Sequence, residues 1–214
     1  MRVALFPLST VLFPQGVLPL RVFEARYLDM VRDCMRDGTL FGVCLITDPR
    51  ASEVSRTNSF AEVGCLARIE AWDMKQLGLL HIRAVGQDRF RRLQTETQAD
   101  GLAIAEVGLI DPDDDAPVPS EHRPCVDLLS RILDDLRAQS AERDAEDHPE
   151  RNDVLAQPPI AEPFHLDSCA WVSNRLCEVL SVPLKAKQRL MELTDAPTRL
   201  QIVHTYLRQH SVLD

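Results

Sequence analysis

The apolar positions of this chain fall into two patterns, and the change comes near residue 111. Before it, short runs rich in Val, Ile, Leu and Phe are separated by Gly, Pro, Asp and Asn, the mark of many short strands. The pattern predicts strands over Ala4–Leu8, Val17–Phe23, Leu40–Ile46, Glu62–Ala71, Leu77–Val85 and Leu102–Ile110. Ile82 alternates with His81 and Arg83, the period of a half-buried strand. Gly64, Gly78, Gly86 and Gly108 read as turn markers, which favours a curled sheet or small barrel. One helix interrupts: Glu24–Asp37 sets Tyr27, Val31, Cys34 and Met35 on one stripe, with Gly38 as its stop.

After the change the period becomes helical. Pro124–Gln139 puts Leu128, Leu129, Ile132, Leu133 and Leu136 on one face. Asp167 is expected to cap a helix carrying Ala170, Val172, Leu176, Val179 and Leu180. Pro183 precedes a helix over Leu184–Leu193, and Asp195 precedes a last one with Leu200, Val203 and Leu207 in line. The fold class is therefore α+β. A strand-rich part over residues 1–111 is followed by a helical bundle over 123–214.

Charge sharpens this division. The net charge is −9. Residues 1–110 hold 13 basic and 13 acidic side chains, residues 111–167 hold 5 and 16, and residues 168–214 hold 6 and 4. All the excess acid lies in the middle. The run from Asp111 to Pro119 predicts a linker, taken as 112–122, because prolines and like charges oppose compaction. The acidic stretch over about 140–163 predicts a mobile, solvated insertion within the bundle.

The same composition limits the chemistry. No apolar run approaches the roughly 20 residues that span a bilayer, and the N-terminus lacks a secretory h-region. Six cysteines without a Cys-x-x-Cys pair read as reduced, buried thiols. The expected location is the cytoplasm. P-loop, dinucleotide-binding, nucleophile-elbow and zincin motifs are missing, so no catalytic residue, cofactor or metal is assigned. His165, Cys169 and Cys177 form a faint metal candidate short of the usual ligand pairs. Nucleic acid is the rival ligand: Arg83, Arg89, Arg91 and Arg92 surround Phe90, and arginine beside an aromatic ring suits phosphate and base. Against it, this part has no net positive charge. A small-ligand protein also stays open.

Several segments resemble a known family, in order. Leu5-Phe6-Pro7-Leu8, Val11-Leu12-Phe13-Pro14 and Leu18-Pro19-Leu20-Arg21-Val22-Phe23-Glu24-Ala25-Arg26-Tyr27 closely resemble the opening of the Lon protease N-terminal, substrate-binding domain family. Phe41-Gly42-Val43, Val63-Gly64-Cys65-Leu66-Ala67-Arg68-Ile69, Val85-Gly86-Gln87-Asp88-Arg89-Phe90-Arg91 and Val182-Pro183-Leu184-Lys185-Ala186-Lys187-Gln188-Arg189-Leu190-Met191-Glu192 follow in family order. The resemblance implies a PUA-like β domain, then a helical bundle, in a stand-alone member without the ATPase and Ser–Lys protease parts. It implies a non-catalytic module that recognises unfolded or extended polypeptide, as an accessory to protein quality control with an ATP-dependent protease as partner. Phe13, Glu24 and Arg26 are the candidate substrate contacts. Phe6, Phe13 and Phe23 read first as core, and Glu24 and Arg26 as fixing a strand–helix corner. The expected binding mode is an extended peptide added to an open sheet edge or held in a groove between sheet and bundle.

Overall fold

The computed structural model describes residues 1–48, 59–145, 154 and 158–213. They form two units, Met1–Asp111 and Pro112–Asp214. The first contains β1 (Arg2–Leu8), β2 (Val17–Val22), α1 (Ala25–Asp37), β3 (Phe41–Leu45), β4 (Val63–Gln76), β5 (Leu79–Thr97) and β6 (Ala103–Leu109). The strand order is β2-β5-β4-β3-β1-β6, and β6 pairs back onto β5. Five strands thus close a barrel, and β2 is added outside it along the first half of β5. β1 and β3 run parallel and the remaining pairs are antiparallel.

Closure explains why several strands are apolar on both faces. Alternate residues of β1, β3 and β4 serve two cores. Leu5, Cys44 and Leu66 join Phe90, Ala105 and Val107 in one cluster. Phe6, Phe41, Val43, Cys65 and Ala67 join Val22, Leu80, Ile82 and the α1 residues Met30, Val31 and Cys34 in the other. α1 ends where expected, with Gly38 left-handed at φ 64° and its N–H bonded to the Cys34 carbonyl.

β5 is far longer than its predicted Leu77–Val85. Gly64, Gly86 and Gly108 lie inside strands, and of the four turn-marking glycines only Gly78 sits in a tight turn, at φ 81°. At Gly64 the reason for glycine is space: a Cβ there would lie 2.5 Å from the Val43 carbonyl oxygen and 2.6 Å from Phe90 Cζ. Gly64 and Gly86 admit neighbouring chain or ring, so the strand runs through them.

The second unit contains α2 (Arg123–Ala145), α3 (Cys169–Val179), α4 (Leu184–Glu192) and α5 (Ala196–Gln209). A single 3₁₀ turn, Ser120–His122, leads into α2. α3 packs against α2, α4 and α5. Asp195 caps α5 as expected, accepting from the Thr198 N–H at 2.8 Å. At α3 the cap is Ser168 rather than Asp167; its hydroxyl accepts from Trp171 N at 2.9 Å.

The acid-rich run expected to be a linker is held to this unit residue by residue. Asp113 pairs with Arg199, Asp114 N–H donates to the Thr194 carbonyl, and Asp115 accepts from Ala170 N and the Ser168 hydroxyl. Ala116 and Val118 exchange backbone bonds with Cys169 and Asp167. The Asp113 and Asp115 carboxylates each have their own donors, which offsets part of the repulsion that the charge run implied. Of the acidic stretch over 140–163, residues 140–145 finish α2, while 146–153 and 155–157 lie outside the described residues.

Candidate functional site

β2, the first half of β5 and the outer half of β4 pair as a three-stranded sheet. In antiparallel pairs, opposed residues share a face. One row is Leu20, Ile82 and Trp72, and the next, on the other face, is Arg21, His81 and Asp73. Val22 pairs with Leu80, which brings Phe23 level with Leu79, itself paired with Gln76. Leu77 and Gly78 complete the turn.

Large apolar side chains gather at this end. Phe23 is 68% exposed, Trp72 57%, Met74 44% and Leu77 95%. Trp72 lies on the Leu20–Ile82 face, Phe23 directly follows β2 and Leu77 sits at the apex. Each exposes apolar area that folding leaves in water, and the four lie around the β4–β5 hairpin end of the sheet as a rim of exposed apolar side chains. Leu77 adjoins the turn glycine, and a side chain at a hairpin apex has no neighbour strand to cover it. That local signal was available in the sequence; the exposure of Phe23 was not.

The predicted contacts lie elsewhere. Phe13 is fully buried. Glu24 is the N-cap residue of α1, and its carboxylate accepts from Arg26 Nη2 at 2.6 Å. Arg26 also reaches the Gly101 carbonyl at 3.3 Å and lies over the Tyr27 ring at 4.9 Å. Glu24 and Arg26 are thus joined to each other and to the β5–β6 turn, while Phe13 belongs to the interior.

The arginine run is largely turned inward or paired within its own unit. Phe90 is fully buried and has no face for a base. Arg83 and Arg89 are buried, and Arg89 Nη2 donates to the Asp111 carbonyl at 3.5 Å. Arg91 pairs with Glu62, and Arg92 donates to Phe60 O at 3.1 Å and Thr95 Oγ1 at 3.0 Å.

His165 precedes α3 and packs edge-on against Trp171, so it shares no helical face with Cys169. Among the described residues no group of three or more His, Cys, Asp or Glu is arranged to hold a metal ion. The cysteines are all buried. Burial pushes the Cys44 and Cys177 thiols up to about 12 and Cys125 up to about 11, which keeps them protonated. No described helix is long and apolar enough to cross a membrane.

A closed PUA-like barrel with an apolar rim, followed by a helical unit, defines an α+β binding domain. The model of the ATP-dependent protease La (LON) substrate-binding domain matches residues 2–209, and the chain belongs to that family. Among solved structures, the Lon N-terminal domain protein from Xanthomonas campestris is 32% identical with a TM-score of 0.72, over 96% of this chain and 98% of that one. The N-terminal domain of Mycobacterium avium complex Lon protease is 15% identical with a TM-score of 0.58, over 98% of this chain and 100% of that one, a likeness of fold alone. Protein cereblon from Danio rerio is 31% identical over 105 residues, 48% of this chain and 23% of that protein. Cereblon from Xenopus tropicalis is 30% identical over 105 residues, 48% and 22%. The chain spans under a quarter of the length of these curated relatives.

Proposed function

We propose that this protein is a cytoplasmic, non-catalytic module that recognises unfolded or extended polypeptide, as an accessory to an ATP-dependent protease. Membership of a substrate-binding domain family supports the class of ligand. The observation that carries the reading is the rim of Phe23, Trp72, Met74 and Leu77, exposed apolar side chains at the β4–β5 hairpin end of the sheet. Unfolded chains expose the same kind of side chain, and burying one Leu or Phe in such a contact is worth about 1.5–3 kcal/mol.

Binding through side chains fits better than addition of a strand. Among the described residues β2 pairs on one side only. Gly86 N–H donates to the Gly16 carbonyl, so by alternation Val17, Pro19 and Arg21 turn their backbone groups to the open side. Pro19 has no N–H to give there. The outer half of β4 is broken by register shifts between Ile69 and Ala71 and between Asp73 and Gln76. Proline and bulges both blunt an edge against pairing.

The test is fluorescence anisotropy of a labelled, permanently unfolded polypeptide titrated with the full chain, beside a labelled RNA. Saturable polypeptide binding, weakened about tenfold or more by Trp72→Ser or Leu77→Ser, is the expected result. Binding that both substitutions leave unchanged would remove the rim from the site. RNA binding in place of polypeptide binding would overturn the reading.

A further inference from the structure

Most exposed arginines of the first unit are paired. Arg2 pairs with Glu96, Arg32 with Asp29, Arg36 with Asp33 and Asp37, Arg68 with Glu70, and Arg91 with Glu62. Among the described residues of this unit, Arg21 is the exposed arginine left without an acidic partner. Its position is specific. It stands on β2, two residues before Phe23, which follows the last residue of the strand, and both side chains are exposed. Phe23 is the most exposed aromatic of the unit and lies beside the Leu77 turn. The nearest acid in the same row, Asp73, is two strands away across His81 and makes no ion pair with Arg21.

Resting on the polypeptide-recognition reading, we infer that Arg21 and Phe23 form a two-part subsite for a polypeptide segment that carries an acidic side chain next to an apolar one. Among the described residues of its unit the charge of Arg21 has no acidic counterpart, and a carboxylate supplies one. The ring of Phe23 takes the adjoining apolar side chain. Because Pro19 denies the open edge a donor N–H, specificity falls to side chains rather than to a backbone ladder. The occupant is therefore an acidic–apolar segment of a client chain, engaged by a cation near the end of β2 and a ring just past it.

The experiment uses two labelled 20-residue peptides that differ only in having glutamate or glutamine beside Leu-Phe pairs, titrated with the full chain by anisotropy. The glutamate peptide is expected to bind about threefold to fivefold more tightly, the range of an exposed ion pair. That preference should shrink at about 0.5 M salt, where the screening length falls well under 10 Å. Arg21→Gln is expected to abolish the preference and leave the affinity for the glutamine peptide unchanged. Phe23→Ser should weaken both peptides alike. Both positions are exposed, so neither substitution threatens folding, and circular dichroism verifies this. Equal binding of the two peptides by the unaltered protein, or a preference that survives Arg21→Gln, would overturn the inference alone. Failure to bind either peptide would overturn the polypeptide-recognition reading and the subsite with it.

Discussion

Arg199 is the side chain on which the second unit most depends, and replacing it with methionine tests why. Its guanidinium is fully buried, and the Asp113 side chain that it faces is 8% exposed. Nη1 and Nη2 both face Asp113, Nη1 reaches the Leu193 carbonyl at 2.5 Å, and Nε donates to Ser173 Oγ at 2.9 Å. The residue thus joins α5 to α3, to the turn after α4 and to the segment entering the unit. Arg199→Met fills similar volume but strands a buried carboxylate, a carbonyl and a hydroxyl. Removing one partner of such a pair costs about 3–5 kcal/mol, a large part of the roughly 5–15 kcal/mol that holds a domain. Urea unfolding measured by Trp171 fluorescence, in a Trp72→Phe background, reads this unit by itself. Asp113→Ala should cost a similar amount. The double variant should cost less than the sum of the two by about 1–3 kcal/mol, because it leaves no charge unpaired. A loss under about 1 kcal/mol for Arg199→Met, or strict additivity, would refute the view that this pair fixes the segment.

Three further outcomes are expected. Gly64→Ala should lower stability by about 1–3 kcal/mol in thermal unfolding, since its methyl would press on the Val43 carbonyl and the Phe90 ring. Gly108→Ala, where a Cβ meets nothing within 4 Å, is the control and should change stability by under about 0.5 kcal/mol. The contribution of His204 to the stability of the second unit should be lost as pH falls below about 6.5, opposite in sign to that of Glu178, whose pKa burial raises to about 7. Burial and the nearby His122 and Arg208 lower the His204 pKa, against a smaller opposing effect of Glu121. The unfolded chain then takes up the proton first, so stability is full above the unfolded pKa and declines below it. His204→Gln should flatten that slope between pH 7 and 5, and an unchanged slope would exclude His204 as its source. Finally, iodoacetamide at neutral pH should leave the native thiols unmodified by mass spectrometry while labelling all six in urea, because the thiolate is the reactive form and burial suppresses it.

Much of the architecture was legible along the chain. The strand-rich first part, the helix over 24–37 with its Gly38 stop, and the Asp195 cap follow from short-range rules of period and termini. The errors share one cause. Gly86 read as a turn because a glycine's neighbours in sequence do not reveal that Phe13 and Gly16 approach it from elsewhere. Asp115 read as part of a linker because its partners, Ser168 and Ala170, are more than fifty positions away. The Arg-Phe-Arg run kept nucleic acid open as a rival ligand because only barrel closure turns Phe90 inward.

The candidate site divides in the same way. Sequence alone determined which residue types were available: a proline-bearing strand ending Leu20-Arg21-Val22-Phe23, an apolar residue beside Gly78, and a charge excess confined to residues 111–167. It also determined the period of each element, because alternation and helical spacing are local properties of the chain. Only the tertiary structure decided that Phe13 would be interior and Phe23 exposed, although each lies in an apolar run. Side-chain burial depends on which strand lies alongside, and pairing partners such as Val22 with Leu80 are set by closing the sheet over long sequence separations. The same closure leaves β2 outside the barrel, where Arg21 and Phe23 stay exposed at its end.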